Sequence, residues 1–299
     1  MNIHTLDLHF LEHDDTIATY LIETSAGPIL IETGPYSTFS HLKEELGKRG
    51  VSPEDINHVF LTHIHFDHGG AAWAFAELGA TIYVHPVGAP HLQDPSKLIS
   101  SASRIYGDDM ERLWSTIKPI GELQLRQVAH SESFTVGDVT LTAWHTPGHA
   151  SHHIAWQAGN FLFTGDVAGV RIGDGPVVPP CPPPDINIEA WKSSIRLIRE
   201  LEELEILYLT HFGPVSAIDA HLDQLEQALD DWAGWMKPHA ENGTPLPEVT
   251  ARFKAYAANQ LRELGLDEER ILQYEHANPA WMSVAGLLRY WKKRGVISQ

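Results

Sequence analysis

The run His63-Ile64-His65-Phe66-Asp67-His68 sets three imidazoles and a carboxylate within six positions, and Gly69-Gly70 follow at once. A hydrophobic core has no use for that density of nitrogen and oxygen donors. A divalent metal does, because neutral imidazole and carboxylate are ligands that zinc and similar ions favour. Three further donors each stand just past an apolar run that reads as a strand. They are His149 in Thr146-Pro147-Gly148-His149, Asp166 in Thr164-Gly165-Asp166, and His211 in Thr210-His211-Phe212-Gly213-Pro214. The adjoining glycines and prolines let the backbone turn sharply enough to aim a donor inward.

Seven donors suit two ions better than one. In an extended loop His63 and His65 are two apart and point the same way, so they can grip one ion together. Asp67 and His68 lie where a helix begins and can face a second ion, and a carboxylate such as Asp166 has an oxygen for each. Two ions about 3.5–4 Å apart hold a bridging water and bring its pKa near neutrality. The resulting hydroxide attacks an electrophilic carbonyl or phosphoryl while a metal stabilises the oxyanion. Asp67 is the candidate for orienting it and relaying its proton. No G-x-S-x-G elbow offers a serine nucleophile instead. Since the ligands must be neutral imidazoles and ionised carboxylates, metal content and activity are expected to fall together below about pH 5–6.

The elements that must position these donors alternate between strand and helix through about residue 220. Strand signals cover 3–10, 17–23, 29–31, 57–62, 81–84, 133–136, 139–145, 153–157, 160–164 and 206–210. Helical patterns cover 38–49, 70–78 and 187–204. Gly137-Asp138 is a hairpin turn. Residues 86–127 turn irregular and partly helical, which reads as an insertion able to lid a site. Residues 170–185 hold Pro179-Pro180-Cys181-Pro182-Pro183-Pro184 and can only be loop or polyproline II. Beyond 217 the pattern is helical throughout, over 218–237, 247–264, 267–275 and 280–294. The expected organisation is a metal-binding unit over 1–217 and a helical C-terminal extension over 218–299.

On these residues the chain resembles the metallo-β-lactamase superfamily, and its layout resembles the glyoxalase II-like and lactonase-like hydrolases. The likeness covers roughly residues 1–215. It implies an α+β fold, a four-layer αββα sandwich, with the helical tail added. It also implies that His63, His65 and His149 hold one metal, that Asp67, His68 and His211 hold a second, and that Asp166 joins them. The ions would be two divalent metals, zinc foremost, with manganese or iron as alternatives. The implied activity is hydrolysis of a small ester, thioester or lactone. An iron-dependent dioxygenase of the same fold, resembling sulfur dioxygenases, and a phosphodiesterase are the alternatives. Two departures stand out. Glu32 occupies a loop position where the family often has Asp, and Thr210-His211-Phe212-Gly213 replaces the Gly-His-Glu-Tyr-like segment of true glyoxalase II enzymes.

Composition narrows the partners. The formal net charge is −18, from 21 basic and 39 acidic side chains, which argues against a broad phosphate-gripping surface for nucleic acid or anionic membrane. A small-molecule substrate is expected. The lone Cys181 allows neither a disulfide nor a thiolate cage and reads as an inert thiol. No signal peptide or spanning segment is apparent, so the expected location is cytoplasmic. His58, His85, His91 and His221 read as structural or exposed, and His145, His152 and His153 as support for the ligands. Trp232, Trp235, Trp281, Tyr290 and Trp291 read as helix packing, and Arg289, Lys292, Lys293 and Arg294 as a solvated face. The tail itself suits either a homodimer contact or a pocket wall.

Overall fold

In a computed structural model that describes residues 1–295, two six-stranded sheets face each other. The first half of the chain gives β1 (Asn2–Asp7), β2 (Ala18–Glu23), β3 (Ile29–Ile31), α1 (Phe39–Gly47), β4 (His58–Phe60), α2 (Phe66–Gly69), α3 (Ala72–Glu77) and β5 (Thr81–Val84). Next come α4 (Ala89–Gln93), α5 (Ser96–Tyr106), α6 (Met110–Leu113) and β6 (Leu125–Gln127). The second sheet is built from β7 (Ser133–Val136), β8 (Val139–His145), β9 (Ile154–Ala158) and β10 (Phe161–Gly165), then, past α7 (Ile188–Glu200), β11 (Ile206–Leu209) and β12 (Gly213–Val215). Four helices end the chain: α8 (Ile218–Glu241), α9 (Leu246–Glu263), α10 (Glu268–Ala277) and α11 (Ala280–Lys293).

The layering follows from alternation, since successive side chains of a strand point to opposite faces. Tyr20, Ile22, Ile29, Ile31 and Phe60 face the second sheet and pack with Leu141, Ile154, Trp156 and Phe163. Their neighbours Leu21, Leu30 and Val59 point outward onto Leu42, Leu46 and Phe75 of α1 and α3. The outer face of the second sheet, Leu162, Leu207 and Leu209, is covered by Trp191, Ile195 and Ile198 of α7. Each such large apolar side chain taken from water stabilises by roughly 1.5–3 kcal/mol. The result is the expected αββα sandwich. The same outer core runs on into Leu222, Leu225, Trp232, Phe253, Val284 and Leu287 of the last four helices.

Three details differ from the sequence expectations. The first strand stops at Asp7, because His9, Leu11 and Glu12 take positive φ of 47°, 56° and 64° in a tight loop. The insertion ends earlier than 127, because Leu125-Arg126-Gln127 pairs parallel with β5 as an edge strand too short and polar to announce itself. β12 was likewise not expected. It contains Pro214, which a sheet admits at an edge where no amide is needed.

Candidate metal centre

Every candidate donor leaves the C-terminal end of a strand. His63, His65, Asp67 and His68 follow β4, His149 follows β8, Asp166 follows β10 and His211 follows β11. These strand ends emerge on one edge of the sandwich, and the structure brings all seven side chains together there. His65 Nδ1 lies 2.8 Å from His63 Nε2 and 3.0 Å from His149 Nε2. Beside this trio, Asp67 Oδ2 lies 3.7 Å from His68 Nε2 and 3.6 Å from His211 Nε2. Asp166 stands between them. Its Oδ2 is 3.2 Å from His149 Nε2, while its Oδ1 is 3.3 Å from His68 Nε2 and 3.4 Å from His211 Nε2.

The donor chemistry fits cations. His63 Nδ1 and His149 Nδ1 are bonded outward, to Thr62 Oγ1 at 3.0 Å and to the Pro180 carbonyl at 2.8 Å. With their N–H groups so placed, both Nε2 atoms turn lone pairs on His65 Nδ1, and a single proton there cannot satisfy two acceptors. In the second group, His68 Nε2, His211 Nε2 and Asp166 Oδ1 are buried without a hydrogen-bond partner among the described residues. Three orphans in one place would be costly unless a positive charge sits between them.

Comparison with known proteins agrees. The sequence profile of the metallo-beta-lactamase superfamily matches residues 14–211. The chain belongs to that superfamily. Among its members, the chain is 29% identical over 178 residues to the metallo-beta-lactamase fold-containing protein of Sulfurisphaera tokodaii, covering 58% of this chain and 67% of that one. An atrochrysone carboxyl ACP thioesterase of Aspergillus fumigatus is 24% identical over 209 residues, 69% of this chain but 39% of the relative. A metallo-beta-lactamase family protein from Thermus thermophilus superposes with a TM-score of 0.66 at 19% identity, covering 98% of this chain and 94% of that one. That last likeness speaks to fold alone. Several of the curated relatives are matched over less than half of their own length.

In this superfamily member a set of neighbours fixes the donor rings. Glu32, buried at a φ of 64°, accepts the Nδ1–H of His68 at 3.1 Å, the Thr62 amide at 3.3 Å and the Thr62 hydroxyl. Thr62 in turn accepts from His63, so one carboxylate serves a ring in each group. Here Glu fills the position of the family's Asp and reaches both partners. His211 Nδ1 donates to the Thr16 carbonyl at 2.6 Å. His153 supports Asp166: its Nε2 accepts the Asp166 amide at 3.2 Å, and its Nδ1 donates to Thr146 Oγ1. Such outer bonds set tautomer and orientation.

The acceptor for His149 comes from the proline-rich segment, whose carbonyls have few amide partners of their own. The tail supplies donors. Tyr274 donates to Pro176 O at 2.7 Å and Asn278 to Pro179 O at 3.2 Å, and the Cys181 amide is taken by Ser283 Oγ at 3.3 Å. Gly286 of α11 lies so close that a Cβ there would fall 1.9 Å from the Cys181 carbonyl. Sequence reading marked 170–185 as loop, yet nothing in it signals a backbone carbonyl serving a ligand. Thr16 was invisible for the same reason. Thr62 carried one signal, its place immediately before His63.

Burial and mutual repulsion hold the first trio neutral. Burial, with neighbouring imidazoles adding to it, pushes His65 down to about 3 and His63 well below the ordinary value. For His68 burial works the same way, but Asp166, Asp67 and Glu32 outweigh it and hold its pKa well above normal. Burial opposes the Asp67 charge too, yet His68 and His211 hold that carboxyl down to about 2.

The other histidines lie outside these two groups. His58 Nδ1 meets Tyr83 Oη at 3.0 Å, His221 Nε2 donates to Ala168 O at 2.7 Å, and His85 contacts the tilted ring of His145 with centroids 4.2 Å apart. Cys181 is buried, which raises its thiol pKa and leaves it inert. Trp232 and Tyr290 are buried in the tail core, whereas Trp281 contacts Tyr106 of the insertion with centroids 5.5 Å apart. A crevice of about 1120 Å³ between α8, α9, α10 and residues 174–178 holds none of the seven donors. Among the described residues no helix is long and apolar enough to cross a membrane.

Proposed function

We propose that this chain is a metal-dependent hydrolase that takes two divalent ions, zinc foremost, and cleaves a small ester, thioester or lactone. The observation that carries the reading is Asp166, whose two oxygens face two separate donor groups with the orphaned nitrogens of His68 and His211 beside one of them. His63, His65 and His149 would hold the first ion and Asp67, His68 and His211 the second, with Asp166 shared. Bound there, the ions would acidify a water and polarise the scissile carbonyl.

The residues themselves divide the remaining work. The Asp67 side chain keeps 24% exposure, whereas His68, His211 and Asp166 keep 0–4%. Asp67 is therefore the group that reaches the substrate side. It orients the attacking water and relays the proton that water releases to the leaving group. Glu32, Thr62 and His153 keep the donor atoms in register. The likeness to a fungal thioesterase supports an acyl substrate, and the net charge of −18 disfavours a polyanion.

The test is to quantify zinc, manganese and iron in protein purified without added metal, then to assay thioesters, lactones and phosphodiesters. Asp166→Ala should cost at least one ion and nearly all turnover. One iron per chain with oxygen uptake and no ester cleavage would replace the hydrolase with a dioxygenase.

A further inference from the structure

The insertion and the last helix meet beside the centre, and what they present there is under-satisfied. Tyr106 ends α5. Its ring lies between Trp114 and Trp281, with centroids 5.2 Å and 5.5 Å away. Its hydroxyl bonds the thioether of Met282 at 3.2 Å, a weak acceptor for a strong donor. Trp114 is 7% exposed, and its indole N–H is buried with no partner among the described residues. Trp114 also packs on Phe66, centroids 5.9 Å apart, and Phe66 sits in the chain between His65 and Asp67. Tyr106, whose acceptor is a thioether, and Trp114, whose N–H has none, thus share one aromatic cluster packed on Phe66 of the donor run. Burial, with the negative charge of Asp67 adding to it, raises the Tyr106 phenol pKa and keeps the hydroxyl a donor.

We propose that Tyr106 contacts the substrate, donating its hydroxyl to an oxygen of a flat, apolar acyl group held against the half-buried Trp281, and rests on Met282 Sδ when no substrate is bound. Such a surface would favour planar apolar acyl groups, because aromatic faces and a thioether take these in preference to charged ones. This inference rests on the hydrolase reading and narrows its substrate class.

The experiment uses the full chain reconstituted with zinc, two N-acetylcysteamine thioesters carrying a phenylacetyl or an acetyl group, and phenylacetate as a non-reacting probe read by tryptophan fluorescence. The wild type should prefer the phenylacetyl thioester and bind phenylacetate. Tyr106→Phe keeps the ring, so the aromatic preference should survive while kcat/KM falls about tenfold on both esters and phenylacetate binds several-fold more weakly. Tyr106→Leu should lose the preference as well. Metal content and melting temperature should match wild type in both variants. Unchanged kcat/KM and unchanged phenylacetate affinity in Tyr106→Phe would overturn the proposal, as would a loss that tracks metal loss. If the wild type cleaves neither ester, the thioester arm of the hydrolase reading fails, and the phenylacetate titration still judges Tyr106.

Discussion

Glu32→Gln isolates the contribution of one buried carboxylate to both donor groups. The substitution keeps the side-chain length and the backbone position at φ 64°, so any strain there is common to both proteins. Glutamine can leave its oxygen where His68 Nδ1, at 3.1 Å, and the Thr62 hydroxyl donate. Its NH₂ then faces the Thr62 amide, which now donates at 3.3 Å to a carboxylate oxygen. Two donors would confront each other, and a buried unsatisfied donor costs about 1–3 kcal/mol. The charge behind the His68 N–H is also lost, and removal of such outer partners typically weakens metal binding about 10–100-fold. The expected result is a drop of that size at the Asp67, His68 and His211 group, with a smaller loss at the trio, reached only through Thr62 and His63. Zinc competition against a chromophoric chelator resolves the two steps, and a thermal melt controls for folding. A Glu32→Gln protein of wild-type melting temperature that binds both ions within twofold of wild type would refute the reasoning.

Acidification should release metal in two steps, the Asp67, His68 and His211 group first. There the carboxylates favour protonated His68 and His211, whereas the His63, His65 and His149 trio resists protonation. A single step in metal content after dialysis at stepped pH would contradict this, and would restore the expectation that everything falls together at pH 5–6. In the metal-free protein, His65 is held down to about 3 against an ordinary 6.5, so its contribution to stability is full above 6.5 and is lost as pH falls toward 3. His68, raised, has the opposite sign: it stabilises below 6.5 and fades as pH rises through its elevated pKa. Denaturant melts of metal-free wild type and His65→Gln between pH 3 and 7 should show the variant losing less stability on acidification. Gly148→Ala should destabilise by about 2–4 kcal/mol and weaken metal binding, because a Cβ there, at φ 145°, would lie 2.3 Å from Cα of Trp191 and displace His149. A melting temperature and zinc affinity equal to wild type would show that the backbone gives way harmlessly.

The donors were legible because a metal site needs particular side chains at high local density, and His63 to His68 supply it in six positions. The sandwich was legible through short β-branched and aromatic runs such as Ala18–Glu23, buried on both faces and bounded by turns. What sequence hid falls into two physical classes. The edge strand Leu125–Gln127 buries little and so carries no apolar alternation, while Gly213–Val215 is three residues long and holds a glycine and a proline, residues that argue against a strand. Backbone acceptors, Thr16 O for His211 and Pro180 O for His149, depend on where a carbonyl points and leave no trace in residue type. The meeting of Tyr106 with Trp281 and Met282 joins segments about 175 positions apart, a distance over which periodicity is silent.

The proline-rich strap between α-helical tail and sandwich ties the terminal helices to the anchor of His149. A chain cut after Val215 would keep every candidate ligand, yet the strap would lose Tyr274, Asn278 and Ser283, and its carbonyls and amide would turn to water. His149 would then hang from a loosened anchor. Minimal versions of this protein should therefore be sought by trimming exposed loops, with the terminal helices left whole.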